Sequence, residues 1–519
     1  MRWTPIAGLA TALLIALVVA PTASGSPVLT LRHDGSVLTR EDRHLPPAQA
    51  LEPAPRRSAA GARLATRSPA TSRAKRKTVK GELERMLKAG AISRATHDNY
   101  RSTYFQARQT RSKLGGARRA ALSATIVNLE RVAAAGLLTV SRSTALFETV
   151  KRNRSWWSNG PLVGSGQRVT FQGSRLVWQH YAGQGLQIQW LGTFGKANAL
   201  WTAKSQEASL RKLLDEALGL ASDRAGGIAF EYLFRFGGGR PPWASGLAQG
   251  TAIQALSRAA VKLNEPRYIR AARRALGIFR QAPPAGVRVK IGSGAHYLIY
   301  SYTRGLRVLN AFAQALNGLY DFAALANDAE GRALFAQGER QLRKELPRYE
   351  TVGWSRYSLG GGNADLGYHT LARDFLRNLC KRLEGESNHT GVSPKGATAP
   401  GAPVAPVLPG VNAGPYCSAA DRFTASLTRD PALKLLSRNV RAGRPASVRF
   451  RVSKPSFVKI AIYRGGNVIA VMTARVAGGS RSLRWARPRR GTYQVKLRAT
   501  DLAGNDGSAD GELRVLARK

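Results

Sequence analysis

Cysteine is nearly absent: the 519 residues hold two, Cys380 and Cys417. Two thiols exclude a disulfide-rich scaffold, a four-cysteine zinc site and a cubane cluster. Histidine is also scarce, with seven scattered residues and no HExxH, so no metal site is expected. No GxGxxG joins a clear strand to a helix and no GKS/T loop is present, so no cofactor is expected either. Acidic residues are the next shortage, with 31 Asp+Glu against 80 Lys+Arg and a formal net charge of +49. Such a field attracts polyanions: nucleic acid, anionic polysaccharide, or an anionic membrane or wall surface. A compositional preference for arginine explains the same charge equally well. Hydrophobic residues at 43% and charged residues at 21% exclude wholesale disorder, and the length suggests two to four domains.

Long apolar runs are missing except at the start. Arg2 precedes the apolar residues 6–20, and Pro21-Thr22-Ala23-Ser24-Gly25 follow. This is the pattern of a signal peptide over 1–25, with an uncleaved N-terminal anchor as the alternative. The run is short for a bilayer span, which takes about 20 apolar residues. The expected location is therefore secreted or at the cell envelope. Export makes nucleic acid an unexpected partner, and no nucleic-acid-binding motif is evident. It also permits Cys380 and Cys417 to pair as one disulfide, with two free buried thiols as the alternative.

What is present divides the chain. Residues 26–78 are rich in Pro, Ala and Arg and read as a disordered basic linker. From 79 to 158 the period is helical: Leu83, Met86 and Leu87 recur before Gly90, and Ser93 is a candidate N-cap. Between 159 and 202 the period shifts toward two, with Arg168-Val169-Thr170-Phe171 and Leu176-Val177-Trp178 as a hairpin in a β-rich region. From 203 to 385 amphipathic helices are expected at 205–221, 245–263, 266–279, 307–325, 330–346 and 363–383. Paired helices of this length suggest an incomplete α/α toroid. Residues 386–430 form a Gly/Pro-rich connector. Alternation over 431–519 predicts short strands of an Ig-like β-sandwich. The expected fold class is α+β.

A resemblance enters at Trp243-Ala244-Ser245-Gly246-Leu247-Ala248-Gln249-Gly250 and the helix it opens. With Arg267-Tyr268-Ile269-Arg270-Ala271-Ala272, Val308-Leu309-Asn310, Gly318-Leu319-Tyr320-Asp321, Trp354-Ser355-Arg356-Tyr357-Ser358-Leu359 and Tyr368-His369-Thr370, it resembles the C-terminal helical domain of the D-glucuronyl C5-epimerases. The ordered match covers about 240–385. The resemblance implies inversion of C5 in uronic acid residues of a polymer, without a redox cofactor. It implies tyrosines and a glutamate as proton-transfer groups. Tyr300, Tyr357 and Tyr368 fall at family tyrosines, while the glutamate position holds Ile299 and the arginine position holds Gly360.

The residues have their own chemistry. The C5 hydrogen is acidic only because a carboxylate lies beside it, so a cation or strong donor must hold that carboxylate. Phenols ionise near pH ~10 and need a neighbouring cation to act as bases. Arg304 and Arg356 are the nearest candidates in sequence, and Arg suits a planar carboxylate. Tyr302 shares a strand face with Tyr300. Alternatively these rings form an inner wall between helices. Glu231 and Arg235 lie in the apolar run Ile228-Ala229-Phe230-Glu231-Tyr232-Leu233-Phe234-Arg235-Phe236. An acid there is either paired or functional, and Glu231 could replace the carboxylate missing at 299.

The expected catalytic set is Tyr300, Tyr357, Tyr368 and Glu231. The expected substrate contacts are Arg235, Tyr302, Arg304, Arg356, His369 and Gln249. The expected partner is an anionic polysaccharide containing uronic acid, handled by a C5-epimerase-like protein. Two other activities are open: a catalytically degenerate glycan-binding protein on the same scaffold, or a polysaccharide lyase.

Overall fold

The computed structural model describes residues 26–46, 77–385 and 410–518. The expected signal peptide at 1–25 lies outside the described residues, as do residues 47–76 of the expected linker and 386–409 of the connector.

The expectation of a disordered linker from residue 26 is corrected by β1 (Ser26–Leu31) and β2 (Val37–Asp42), which pair antiparallel. The turn between them is local chemistry. Asp34 Oδ1 accepts from the Ser36 backbone N–H at 2.9 Å, and Gly35 takes φ +85°. Val28 and Leu31 are buried, which anchors the hairpin. Four helices follow: α1 (Val79–Lys88), α2 (Arg94–Lys113), α3 (Gly116–Ala134) and α4 (Val140–Asn159). Thr78, Ser93 and Thr139 accept from backbone N–H groups and cap α1, α2 and α4.

Next come β3 (Arg168–Phe171), β4 (Trp178–Tyr181) and β5 (Gly185–Ile188). With the hairpin they make a five-stranded sheet ordered β2-β1-β3-β4-β5, where β1 and β3 run parallel. Residues 190–202, expected in the β-rich region, form instead α5 (Trp190–Thr202). The two glycines in its sequence weaken the helical pattern, but Trp190, Phe194, Ala197 and Trp201 make a buried stripe.

The helical layer continues with α6 (Glu207–Leu218), the ribbon β6 (Ser222–Arg224) and β7 (Gly227–Ala229), α7 (Gly246–Lys262), α8 (Pro266–Ala275) and α9 (Gly277–Arg280). The hairpin β8 (Arg288–Ile291) and β9 (Gly294–Tyr297) precedes α10 (Leu309–Leu325) and α11 (Ala329–Tyr349). After β10 (Glu350–Thr351) and β11 (Trp354–Ser355) comes α12 (Leu366–Leu383). α7 and α10 are buried along most of their length and cross closely. A Cβ on Gly318 would lie 2.0 Å from the Gly250 carbonyl oxygen. The expected connector also contains structure: α13 (Gly414–Thr428) packs on α12, and Cys380 and Cys417 are joined by a disulfide between them.

The C-terminal strands are β12 (Leu433–Leu435), β13 (Asn439–Arg441), β14 (Ala446–Val452), β15 (Ser456–Arg464), β16 (Asn467–Val476), β17 (Gly479–Trp485), β18 (Gly491–Asp501) and β19 (Asp506–Leu516). They form sheets ordered β12-β14-β17 and β13-β19-β18-β15-β16. Val448, Phe450 and Trp485 from one sheet share a core with Ile460, Val495 and Leu513 from the other. The alternating burial of β14 and β18 is the period-two pattern of the sequence. The molecule is thus α+β, with a curled two-sheet β unit at the C-terminus. No helix among the described residues is long and apolar enough to cross a membrane.

Candidate functional site

A cavity of about 460 Å³ lies where α5, α7, α10 and α12 meet the five-stranded sheet. The sheet contributes Arg168, Gln179 and Tyr181 to its lining, α7 contributes Gln254 and Arg258, and α12 contributes Tyr368, Asn378 and Arg382. Its walls are aromatic. Tyr232 stacks on Trp243 with ring centroids 4.3 Å apart, and the edge of Trp243 meets Tyr300 at 5.4 Å. The described lining contains three arginines, Arg168, Arg258 and Arg382, and no Asp or Glu.

Two of those arginines are fixed by one acid. Asp321 on α10 is fully buried behind the lining. Its Oδ1 accepts from Arg382 Nε at 2.6 Å, and its Oδ2 accepts from Arg258 Nε at 3.0 Å and Gln254 Nε2 at 2.9 Å. Burial alone would raise this carboxyl, but Arg382 and Arg258 overcome it and hold it below the usual carboxylate range. Burial pushes the Arg258 guanidinium down to about 10, with Asp321 opposing, so it stays charged at neutral pH. Two cations on one anion leave the cavity floor with a surplus positive charge. Gln314 Nε2 donates to Gln254 Oε1 at 2.9 Å and ties α10 to α7 across the same floor. Arg258 also lies over the Trp201 ring, 4.5 Å from its centroid.

The expected tyrosines come together here. Tyr300 and Tyr368 both line the cavity. Tyr357 lies behind Tyr368, their ring centroids 4.8 Å apart. Tyr302 stacks on Tyr300 at 5.2 Å with the rings 3° from parallel. Ile299, at the position where the resemblance calls for a glutamate, faces the cavity as well.

The remaining expected residues lie elsewhere. Glu231 is corrected from base to structural anion. It is buried, its Oε2 accepts from Arg142 Nε at 2.6 Å and its Oε1 from Arg224 Nη1 at 2.5 Å. That pairing ties α4 and β6 to the helical layer, away from the cavity lining. Gln249 is also structural: its Oε1 accepts from the Phe230 backbone N–H at 3.2 Å, and its Nε2 donates to the carbonyls of Ile228 and Ala275. Arg304 donates to the Pro283 carbonyl at 2.8 Å and Arg356 to the Gly361 carbonyl at 3.0 Å, so both brace loops. Arg235 is exposed and outside the cavity lining.

His369 is buried between α12 and α13. Its Nδ1 lies 2.7 Å from Ser355 Oγ and its Nε2 2.9 Å from Ser426 Oγ, and its ring stacks on Trp354 at 3.8 Å. Burial pushes it down to about 4, so it is neutral at physiological pH.

Arg258, Arg382, Asp321, Gln254 and Gln314 were not singled out as site residues from the sequence. One signal was available: Asp321 is a lone acid in the apolar helix Leu319-Tyr320-Asp321-Phe322, the same kind of anomaly that marked Glu231. Its partners are 63 and 61 residues away along the chain, which no local pattern reveals.

Residues 223–390 match the family model described as D-glucuronyl C5-epimerase C-terminus. The chain is 34% identical over 132 residues to the D-glucuronyl C5-epimerase of Caenorhabditis elegans, a match covering 23% of this chain and 21% of that protein. Residues 223–390 are thus similar to the C-terminal segment of the D-glucuronyl C5-epimerases. The chain spans about a fifth of the length of that curated relative. Among solved structures, the fibronectin(III)-like modules of Clostridium thermocellum CbhA are 20% identical, covering 17% of this chain and 100% of that one with a TM-score of 0.14. The endo-beta-1,4-glucanase CMCax of Acetobacter xylinum is 12% identical, covering 46% of this chain and 86% of that one with a TM-score of 0.26.

Proposed function

We propose that the cavity receives a uronic acid residue of an anionic polysaccharide and that the protein acts on it as a C5-epimerase. The observation that carries this reading is the lining: Tyr300 and Tyr368 beside Arg258 and Arg382, with no acid among the described lining residues. Aromatic faces take the apolar faces of a sugar ring, and the amides of Gln254, Gln314 and Asn378 suit its hydroxyls. The substrate carboxylate sits on the surplus charge of the Arg258–Asp321–Arg382 cluster. That cluster replaces Arg304 and Arg356 as the carboxylate clamp. Held there, the carboxylate accepts the electron pair released when the C5 hydrogen leaves as a proton. One phenolate takes that proton and becomes a phenol. The other phenol returns a proton to the opposite face of C5 and becomes the phenolate. Tyr300 and Tyr368 are assigned these two roles, and Tyr357 positions Tyr368.

The proposal includes export. Residues 1–25 act as the leader, and the protein works in secretion or at the cell envelope. The Cys380–Cys417 disulfide is the bond an oxidising compartment supports. The helical layer over 203–385 is read as an incomplete α/α toroid and the C-terminal β unit as an Ig-like module.

Incubation with glucuronate-bearing polymers in deuterated water tests the reaction. Deuterium at C5, without ultraviolet absorbance from an unsaturated uronate, is the expected result. Absorbance with chain cleavage would make the protein a lyase. Ile299 at the glutamate position favours a second reading, glycan binding without turnover. Tight polymer binding with no deuterium incorporated across several acidic polymers would replace the epimerase by that reading.

A further inference from the structure

The exposed face of the larger C-terminal sheet carries an arrangement that sheet stability alone does not favour. On β15 and β18, Lys459 and Arg498 are directly opposed cross-strand partners. Like charges in that position destabilise a strand pair. Lys496 stands two residues along β18 from Arg498, and Arg475 on β16 is opposite Phe457. All four cations are exposed, and none forms an ion pair with an acid among the described residues. Two aromatic side chains flank them. Phe457 is 47% exposed, and Tyr463 carries Lys496 Nζ over its ring at 5.2 Å. On β19, Asp510 is directly opposite Lys496, and with Asp506 and Glu512 it bounds the basic patch on one side, so the uncompensated like-charge pair is Lys459 and Arg498. Exposed Ile469 and Val471 on β16 bound it on the other.

We propose that this face is a second binding surface for the same class of ligand, a linear polysaccharide bearing carboxylates. The carboxylates are held by Lys459, Lys496 and Arg498, and a sugar ring rests on Phe457. Charge complementarity selects a polyanion, since a partner chain carrying negative charges relieves the repulsion between Lys459 and Arg498. The choice of polysaccharide over other polyanions rests on the reading of the cavity. A polymer engaged on this face is presented to the cavity at raised effective concentration.

The test uses the full chain and two probes: long-chain hyaluronan, a glucuronate-bearing polymer, and a hyaluronan hexasaccharide. Replacing Lys459, Lys496 and Arg498 together with threonine keeps strand-forming residues on the strands. The dissociation constant for long-chain hyaluronan is expected to rise about 10- to 100-fold. The slope of log affinity against log salt is expected to fall by about two to three. Affinity for the hexasaccharide should not change. The charge-conserving set K459R, K496R and R498K should bind as the unsubstituted protein does. Phe457→Ala should weaken polymer binding about 2- to 10-fold with the salt slope unaltered. Equal polymer affinity in the threonine variant overturns the proposal. Equal binding of duplex DNA and hyaluronan, both lost in that variant, overturns the choice of polysaccharide. Should the hexasaccharide fail to bind even the unsubstituted protein while the polymer effect persists, the cavity reading falls and this surface stands.

Discussion

At the scale of single residues, Glu231 and Tyr368 pose opposite tests, one of architecture and one of the proposed chemistry. Glu231 has two arginine partners, with side chains 11% and 9% exposed, and is itself sealed. Removing it strands two cations in low dielectric. Glu231→Ala should therefore cost about 3–5 kcal/mol of unfolding free energy, read as a lowered urea midpoint. In the surviving folded fraction, C5 exchange per active molecule should be unchanged, because Glu231 does not line the cavity. Tyr368→Phe should do the opposite. It keeps the ring that packs on Tyr357 and deletes only the hydroxyl. Exchange should fall about 100-fold or more, with polymer affinity and thermal midpoint nearly unaltered. Undiminished exchange in Tyr368→Phe would show that Tyr368 acts through packing alone.

At the scale of elements, the cavity depends on how closely α7 and α10 approach. Gly250 and Gly318 meet at the crossing, where a Cβ on Gly250 would lie 2.6 Å from Ala315 Cα. Both obstructions are backbone atoms, so neither can swing aside. Gly318→Ala should push the helices apart and cost about 1–3 kcal/mol. It should also weaken substrate binding, because Gln254 and Gln314 bridge the same pair of helices. A thermal melt combined with a binding isotherm measures both losses. Alanine without effect at Gly318 would mean the crossing is looser than this geometry.

The elements also show what the sequence revealed. The long helices were legible because apolar residues recur at helical spacing, and α7, α10, α11 and α12 lie within two or three residues of the expected bounds. The strands of the C-terminal unit were legible for the same reason at period two. The β1–β2 hairpin was not, because its two short strands were read together with the Pro-, Ala- and Arg-rich residues that follow them, and β1 gains its other neighbour from β3, over a hundred residues away. α13 was missed because Gly414-Pro415 opens it inside a Gly/Pro-rich segment, although proline suits a first helical turn. Of the expected tyrosines, named from the family pattern, Tyr300 and Tyr368 line the cavity and Tyr357 lies behind Tyr368. The arginine cluster was not named, since only tertiary packing brings α7, α10 and α12 to one carboxylate.

At the scale of the whole molecule, one histidine stands at the joint between the helical layer and the C-terminal β unit. His369 on α12 links Ser355 of β11 to Ser426 of α13. The Ser426 carbonyl in turn accepts from Lys454 Nζ at 2.9 Å, and that lysine pairs with buried Asp501 of the β unit. Asn505 Nδ2 donates to the Leu427 carbonyl at 3.0 Å, a second tie across the same joint. In the folded chain burial lowers the His369 pKa from 6.5 to about 4. Between those values the unfolded chain binds a proton that the folded chain refuses, so stability falls as pH drops through 6.5 and the loss is complete near 4. From pH 7 to pH 5 this one group should remove about 2 kcal/mol. His369→Gln keeps hydrogen-bonding capacity without a titrating ring. It should be less stable than the unsubstituted chain at pH 7, yet lose about 2 kcal/mol less on going to pH 5. Urea midpoints of both proteins at the two pH values decide it. The acids Asp321, Glu345 and Asp501, whose pKa values are lowered on folding, lose their contribution only below about pH 4.5, so they do not obscure the histidine in this window. Ser426 Oγ donates to the Phe423 carbonyl, so the neutral ring donates to Ser426 through Nε2 and accepts from Ser355 at Nδ1. Because the protonated ring can no longer accept from Ser355, acid should loosen the β unit from the helical layer before either part unfolds. Proteolytic nicking at the joint should therefore appear at pH 5 in the unsubstituted chain and be less pH-dependent in His369→Gln. An identical pH dependence in both chains would remove His369 from the coupling and leave the Lys454–Ser426 and Asn505–Leu427 bonds to hold the joint.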